Sequence, residues 1–452
     1  RSRGLGDVYK RQVHFKMYPM APILSKGGIA MSPVAITLAL LLFVIVMFVW
    51  EKIPLAVTSI IALLVLVLTG VLSPKDAFGG FVDNNLILFV AMFVIGGCFF
   101  ETGMANRVGG IVTKFAHTER ELIVAVMLVT GIMSGFLSNT GTAAILIPIV
   151  IGTASKSGFS RSRLLLPLIF AAAMGGNLSI IGAPGNLLGK AALQNVGVEI
   201  SFFEYGFVGL PILLISTAFF ACVGYRFLPE KTKNMGDSMY DEEQDFSDVP
   251  RWKQMVSLVV MVLTILAMIF EKQIGIKFYL SGCIGAVVLV ACGAISEKAA
   301  YRSIDMQTIF VYGGTLALAK ALQKTGAGKM IADTVISALG PSASPFALLV
   351  VVFLLATLMT NFMSNFATTA LLVPISLNIS AGMGADPKAV VVATVIGASL
   401  AFATPIGMPA NMMVFAPGGY TFNDYVKAGL PMIVVSAIIS LILLPLIFPF
   451  YP

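Results

Sequence analysis

Charge is scarce in this chain. Aspartate, glutamate, lysine and arginine make up only 11% of its 452 residues, against roughly a quarter in soluble domains, which excludes a solvated globular surface. Histidine occurs twice, as His14 and His117, both in polar stretches and read as solvated. Apart from Glu121 at the outer edge of the first, no histidine or carboxylate falls inside the interrupted apolar segments described below, which argues against an intramembrane proton relay and against the constellation a membrane enzyme needs. The four cysteines, Cys98, Cys222, Cys283 and Cys292, all lie in apolar runs without a CxxC pair, so they are expected to be small buried hydrophobes rather than disulfide or metal ligands. The formal charge is +7, but the basic residues are scattered through loops with no basic and aromatic face, and no nucleic-acid partner is expected.

What is present is apolar. Hydrophobic residues make up 58% of the chain, and the mean hydropathy is +0.95. Runs long enough for membrane spans follow one another, which predicts an all-α polytopic membrane protein. The first half reads as spans at 33–50, 53–72 and 85–103, interrupted segments at 121–152 and 164–195, and a closing span at 205–228. The second half repeats the order at 255–271, 276–296, 306–325, 346–377, 388–415 and 429–450. Between them lies the one long polar stretch, 229–254, read as a cytoplasmic loop. Residues 1–30 are read as a leader, foreign or disordered, with the native chain starting at Met31. The organisation expected is therefore leader (1–30), first repeat (31–228), loop (229–254) and second repeat (255–452).

The repetition extends to single residues. "MSGFLSNTGTAAILIPI" (133–149) over "MTNFMSNFATTALLVPI" (359–375) gives nine identities in seventeen ungapped positions, polar residues included. "SIIGAPGN" (179–186) pairs with "TPIGMPAN" (404–411), and "ETG" (101–103) falls near "KTG" (324–326). Each half then has about five transmembrane helices, with one re-entrant hairpin and one broken helix. An odd number of crossings inverts the second half relative to the first, the architecture of secondary transporters. Without the leader, fifteen Lys and Arg fall on the side of the 229–254 loop and eight on the other, which places that loop in the cytoplasm. With the leader the count is fifteen against fourteen.

A helix broken at membrane depth exposes backbone groups that only protein or a watery cavity can satisfy. Ser138, Asn139 and Thr140 at one tip, and Ser364 and Asn365 at the other, are helix N-cap residue types. Two half-helix N-termini facing one cavity, each with about +0.5 of a charge, could hold an anion without arginine. Neutral hydroxyl, amide and carbonyl oxygens beside them suit a small cation such as sodium. Asn186 and Asn411 are read either as caps or as ligands. Glu51, Glu101 and Asp305, near span ends, are expected to be interfacial anchors, and Phe99 and Phe100 packing residues.

These motifs, with "EKIPLAVTS" (51–59) and "FAPGGYTFNDYVKAGLPM" (415–432), resemble the divalent anion:sodium symporter family of the ion transporter superfamily, and the likeness covers nearly all of 31–450. The resemblance implies two sodium sites, one from Ser134, Ser138, Asn139 and the Gly182 carbonyl, and one from Thr360, Asn365 and the Gly407 carbonyl, with Ser364 nearby. It implies a substrate between the tips, touching Asn139, Thr140, Asn365 and Phe366, with Pro184 and Pro409 at the adjoining turns. It also implies a homodimer in a prokaryotic inner membrane that works as an elevator, importing a small anion, di- or tricarboxylate first. The alternatives are sulfate or another oxyanion, a proton- or metal-citrate carrier, or an arsenite-type exporter of the same superfamily; a channel or membrane enzyme is the non-carrier alternative. The chain departs from the family pattern at Phe366, where a threonine is usual, at the turns Ala183-Pro184-Gly185 and Met408-Pro409-Ala410, which lack the common hydroxyl and paired prolines, and in missing an extra first span.

Overall fold

The computed structural model describes residues 31–50, 52–109, 118–231, 249–339 and 344–451. The leader with His14, Glu51, His117 and most of the polar loop (232–248) lie outside the described residues. Those described are helical or irregular, with no strand among them.

The helices come in two matching series. The first is α1 (Pro33–Trp50), α2 (Leu55–Leu68), α3 (Pro74–Phe78), α4 (Asn84–Glu101), α5 (Met104–Gly109), α6 (Glu119–Ser134), α7 (Asn139–Ser157), α8 (Arg161–Gly175), α9 (Pro184–Gln194) and α10 (Gly206–Cys222). The second is α11 (Arg251–Ile269), a single turn α12 (Glu271–Ile274), α13 (Phe278–Ala291), α14 (Glu297–Ser303), α15 (Met306–Thr325), α16 (Ala327–Leu339), α17 (Pro345–Thr360), α18 (Asn365–Gly382), α19 (Pro387–Ala398), α20 (Pro409–Phe415) and α21 (Phe422–Ile447). Leaving out α12, the two series correspond one to one. Helix α11 starts at Arg251, directly after Pro250, so the last residues read as loop form its first turn.

Local chemistry repeats with the elements. Ser73 and Ser296 cap α3 and α14, Asp83 and Asp305 cap α4 and α15, and Ser138 and Ser364 cap α7 and α18. Each cap oxygen takes up a backbone N–H that the first helical turn leaves without a partner. Gly103 and Gly326, the glycines of the ETG and KTG triplets, both adopt left-handed backbone at φ 70° and 79°, a conformation open to glycine at little cost.

Packing between the halves is reciprocal. Helix α2 packs on α15 while α13 packs on α4, and α9 packs on α18 while α20 packs on α7. Helices α8 and α19 form the centre. From Leu164 to Gly175 and from Ala389 to Ala398 every residue is buried, as expected for helices that are apolar all round. At Gly175 an added Cβ would lie 2.2 Å from the Gly131 carbonyl oxygen, so glycine here is what lets α8 approach α6. The Tyr420 hydroxyl enters the α8 backbone. It donates to the Ser162 carbonyl at 2.6 Å and accepts from the Leu166 amide at 3.1 Å, the two partners of one helical rung.

The outer surface is apolar. On α21, Leu430, Val434, Ile438 and Ile442 stand four residues apart and are half exposed or more, a stripe that a soluble monomer does not present. Among the described residues, three helical stretches are long and apolar enough to cross a membrane, Pro74–Glu101, Arg251–Ile269 and Phe422–Ile447, and shorter apolar helices accompany them. This outward apolar surface corrects the expectation for the cysteines. Only Cys98 is buried; Cys283 is half-buried, and Cys222 and Cys292 are exposed, because in such a chain an apolar run can face outward as well as inward.

Candidate functional site

Both tips are built the same way. Helix α6 ends at Ser134, the chain turns through Gly135–Leu137, and α7 starts at Asn139 with the Ser138 hydroxyl accepting from Gly141 N at 3.1 Å. In the second half α17 ends at Thr360, and the Ser364 hydroxyl accepts from Ala367 N at 3.2 Å as α18 starts at Asn365. Beside each tip lies a break, 176–183 between α8 and α9 and 399–408 between α19 and α20.

The breaks are braced by side chains. Asn186 donates through Nδ2 to the Gly176 and Ser179 carbonyls, both at 2.7 Å, and Asn411 donates to Ala401 and Thr404 at 2.7 and 2.9 Å. Tyr205 then donates to the Asn186 carbonyl at 3.0 Å, and Tyr425 to the Asn411 carbonyl at 2.5 Å. Neither asparagine caps its helix. Each ties the loop that the break creates. Ser179 donates to the Gly135 carbonyl and Thr404 to the Asn361 carbonyl, fastening break to tip.

Where tip and break meet, oxygens converge. The Asn139 side-chain oxygen lies 2.8 Å from Ser134 Oγ, 3.1 Å from the Ala172 carbonyl and 3.2 Å from the Gly182 carbonyl. The Asn365 oxygen lies 2.8 Å from Thr360 Oγ1, 3.2 Å from the Ala398 carbonyl and 3.3 Å from the Gly407 carbonyl. A serine or threonine hydroxyl has one proton, and at each site it faces two acceptors, the amide oxygen and the Ala172 or Ala398 carbonyl. Two arrangements satisfy such a shell. A small cation can sit among four neutral oxygens, or the amide can turn over and donate its own N–H groups to the hydroxyl and carbonyls.

The tips and breaks open onto one cavity of about 590 Å³. Four half-helix N-termini line it, at Asn139 and Thr140, at Asn365 and Phe366, at Pro184 and at Pro409. Aromatic rings from Phe89, Phe93, Phe100 and Phe136 form much of the remaining wall. Gly141 leaves room for Phe100 of α4 to lie over the first tip, since an added Cβ would come 2.6 Å from its ring. Among the described residues, the wall contains no lysine, arginine or histidine.

Most sequence-expected positions meet here. Ser134, Asn139 and the Gly182 carbonyl come together, as do Thr360, Asn365 and the Gly407 carbonyl, while Thr140, Phe366, Pro184 and Pro409 line the cavity. Ser138 and Ser364 face the cavity and act as caps. The Ala172 and Ala398 carbonyls were not anticipated, because a backbone oxygen has no residue signature. Glu101 and Asp305, expected as interfacial anchors, line the cavity. Asp305 uses its oxygens on Gln307 N, Thr308 N and Thr308 Oγ1 at the start of α15. Phe99 is core packing, whereas Phe100 belongs to the cavity wall.

The family model described as citrate transporter matches residues 45–397. An uncharacterized transporter of Haemophilus influenzae is 26% identical over 426 residues, covering 89% of either chain. The sodium-dependent dicarboxylate transporter SdcS of Staphylococcus aureus is 24% identical over 452 residues, covering 91% of this chain and 85% of its own. Among solved structures, the Alcanivorax borkumensis YdaH transporter superposes with a TM-score of 0.65 at 16% identity, covering 91% of this chain and 98% of its own.

Proposed function

This chain belongs to the citrate transporter family, and we propose that it is a sodium-driven importer of a small anion, with a di- or tricarboxylate as substrate. The pair of oxygen shells carries this reading. Ser134, Asn139 and the carbonyls of Ala172 and Gly182 are mirrored by Thr360, Asn365 and the carbonyls of Ala398 and Gly407. Neutral oxygens at broken helices are ligands for a hard cation such as sodium, and two shells suit two sodium ions. The relative named as sodium-dependent points the same way.

The anion lies between the tips. The N-termini of α7, α9 and α18, each with about +0.5 of a charge, line this cavity and favour an anion there. Sodium bound behind each tip fixes its backbone, so cation binding prepares the anion site and the two are carried together. The reciprocal packing of the halves supports an inverted repeat about a two-fold axis. On this reading α6–α9 with α17–α20 move as the carrier body against a scaffold of α1–α4 and α11–α15, as an elevator in a homodimer of a prokaryotic inner membrane, with the 229–254 loop in the cytoplasm.

The test is uptake of labelled citrate, succinate and sulfate into proteoliposomes under a sodium gradient. Uptake of one carboxylate that collapses when potassium replaces sodium is the expected result; equal uptake in the two salts defeats the coupling. Phe366 refines the substrate. It presents a ring where a hydroxyl could meet a carboxylate, so Phe366→Thr should tighten succinate binding about tenfold, the scale of one hydrogen bond to a charged group. Calorimetric titration checks it, and an unchanged succinate affinity would mean that the ring does not face the substrate.

A further inference from the structure

The cavity wall carries two carboxylates, Glu101 and Asp305, and no cationic side chain among the described residues. A buried cation stands one turn further along α9, one of the helices that line it. Lys190 follows Asn186, a cavity residue, by four positions on α9, a rise of about 6 Å. It is only 6% exposed. Its ammonium lies 3.3 Å from the centroid of the Phe278 ring on α13, and it joins no ion pair among the described residues. Asp83, Glu199, Glu271 and Lys277 act on it only at longer range.

The choice of partner has an electrostatic meaning. A carboxylate in contact with an ammonium cancels its charge at a distance. An aromatic face attracts the ammonium through a quadrupole and carries no net charge, so the ring does not cancel the charge of Lys190, which Glu271, Glu199 and Asp83 offset only from longer range and Lys277 reinforces. The helical repeat does not require this residue, since the equivalent position, four after Asn411, is Phe415. A lysine buried without a carboxylate partner is rare enough to call for a reason beyond packing.

We propose that Lys190 is the fixed counter-charge of the anion site, a specificity-determining residue that strengthens anion binding and weakens cation binding in the same cavity. This rests on the sodium–anion symport reading and adds to it the origin of the charge preference. A unit charge roughly 10 Å from a site, at an effective dielectric of about 20, changes affinity about tenfold.

The experiment titrates the purified full chain with sodium alone, and with citrate at saturating sodium, following thermal stabilisation. Lys190→Met should lower the half-saturating sodium concentration and raise that of citrate, each about tenfold, while Lys190→Arg, which keeps the charge, should match the wild type in both. A damaged site would weaken both ligands together. A Lys190→Met protein with unchanged or weaker sodium binding overturns the inference, and the sodium arm decides even if citrate is not the anion. A wild-type protein that shows no sodium response removes the symport reading itself, which distinguishes the two failures.

Discussion

Exchanging Asn139 for alanine should abolish sodium-dependent uptake at ordinary sodium concentrations, and Asn365→Ala should do the same through the second shell. Each change removes the only side-chain amide from a group of oxygens that has no other internal donor than one hydroxyl. Losing one ligand to a charged partner costs about 1.5–3 kcal/mol, so the half-saturating sodium concentration should rise about ten- to a hundredfold. Folding should survive, because the Ser138 cap and the bracing by Asn186 and Tyr205 do not involve Asn139. Sodium activation curves in proteoliposomes, beside thermal denaturation of the same preparations, separate the two effects. Wild-type sodium activation in both variants would refute the assignment.

Gly182→Ala and Gly407→Ala should be nearly as severe for a different reason. At Gly182 an added Cβ would lie 2.5 Å from the Gly176 carbonyl oxygen and 3.0 Å from that of Gly135; at Gly407 it would lie 2.5 Å from the Thr360 carbonyl oxygen. Those neighbours are backbone atoms of the tip and the break, which cannot swing aside as a flexible side chain can. The carbonyl of residue 182 or 407 must therefore turn away from its shell. The expected outcome is loss of sodium activation with a fall in stability of about 1–3 kcal/mol. Gly152→Ala on α7, with open space around the new methyl group, is the control and should behave as wild type. Normal sodium activation in Gly182→Ala would remove its carbonyl from the ligand set.

How far the site could be read in advance depended on the kind of atom involved. The tip asparagines and hydroxyls stood out because polar residues are conspicuous in apolar runs, and a second copy at 359–375 marked them as a shared feature. The Ala172 and Ala398 carbonyls complete the same shells, yet nothing in an alanine reports that its oxygen is turned inward. Helix α4 entered the cavity unannounced for another reason. Phe89, Phe93 and Phe100 look like any lipid-facing phenylalanines until the fold lays α4 beside the first tip. Lys190 is legible as a charge within an interrupted segment, but a proton relay is sought among acids and histidine, and it is neither. Helix order was nearly complete in the hydropathy pattern. The short helices α3, α5, α14 and α16 were not, because runs of five to thirteen residues are too brief to register as spans.

The rung of α8 that holds the Tyr420 hydroxyl bears on how the molecule is made. Residue 420 is synthesised long after α8, and until it arrives the Ser162 carbonyl and Leu166 amide can close their own helical rung, which the Tyr420 hydroxyl then enters. This rung of α8 therefore takes its final form only when the carboxy-terminal portion docks on it. Two fragments divided between Lys231 and Val249, each exposed to proteolysis when expressed alone, should protect one another when produced in the same cell.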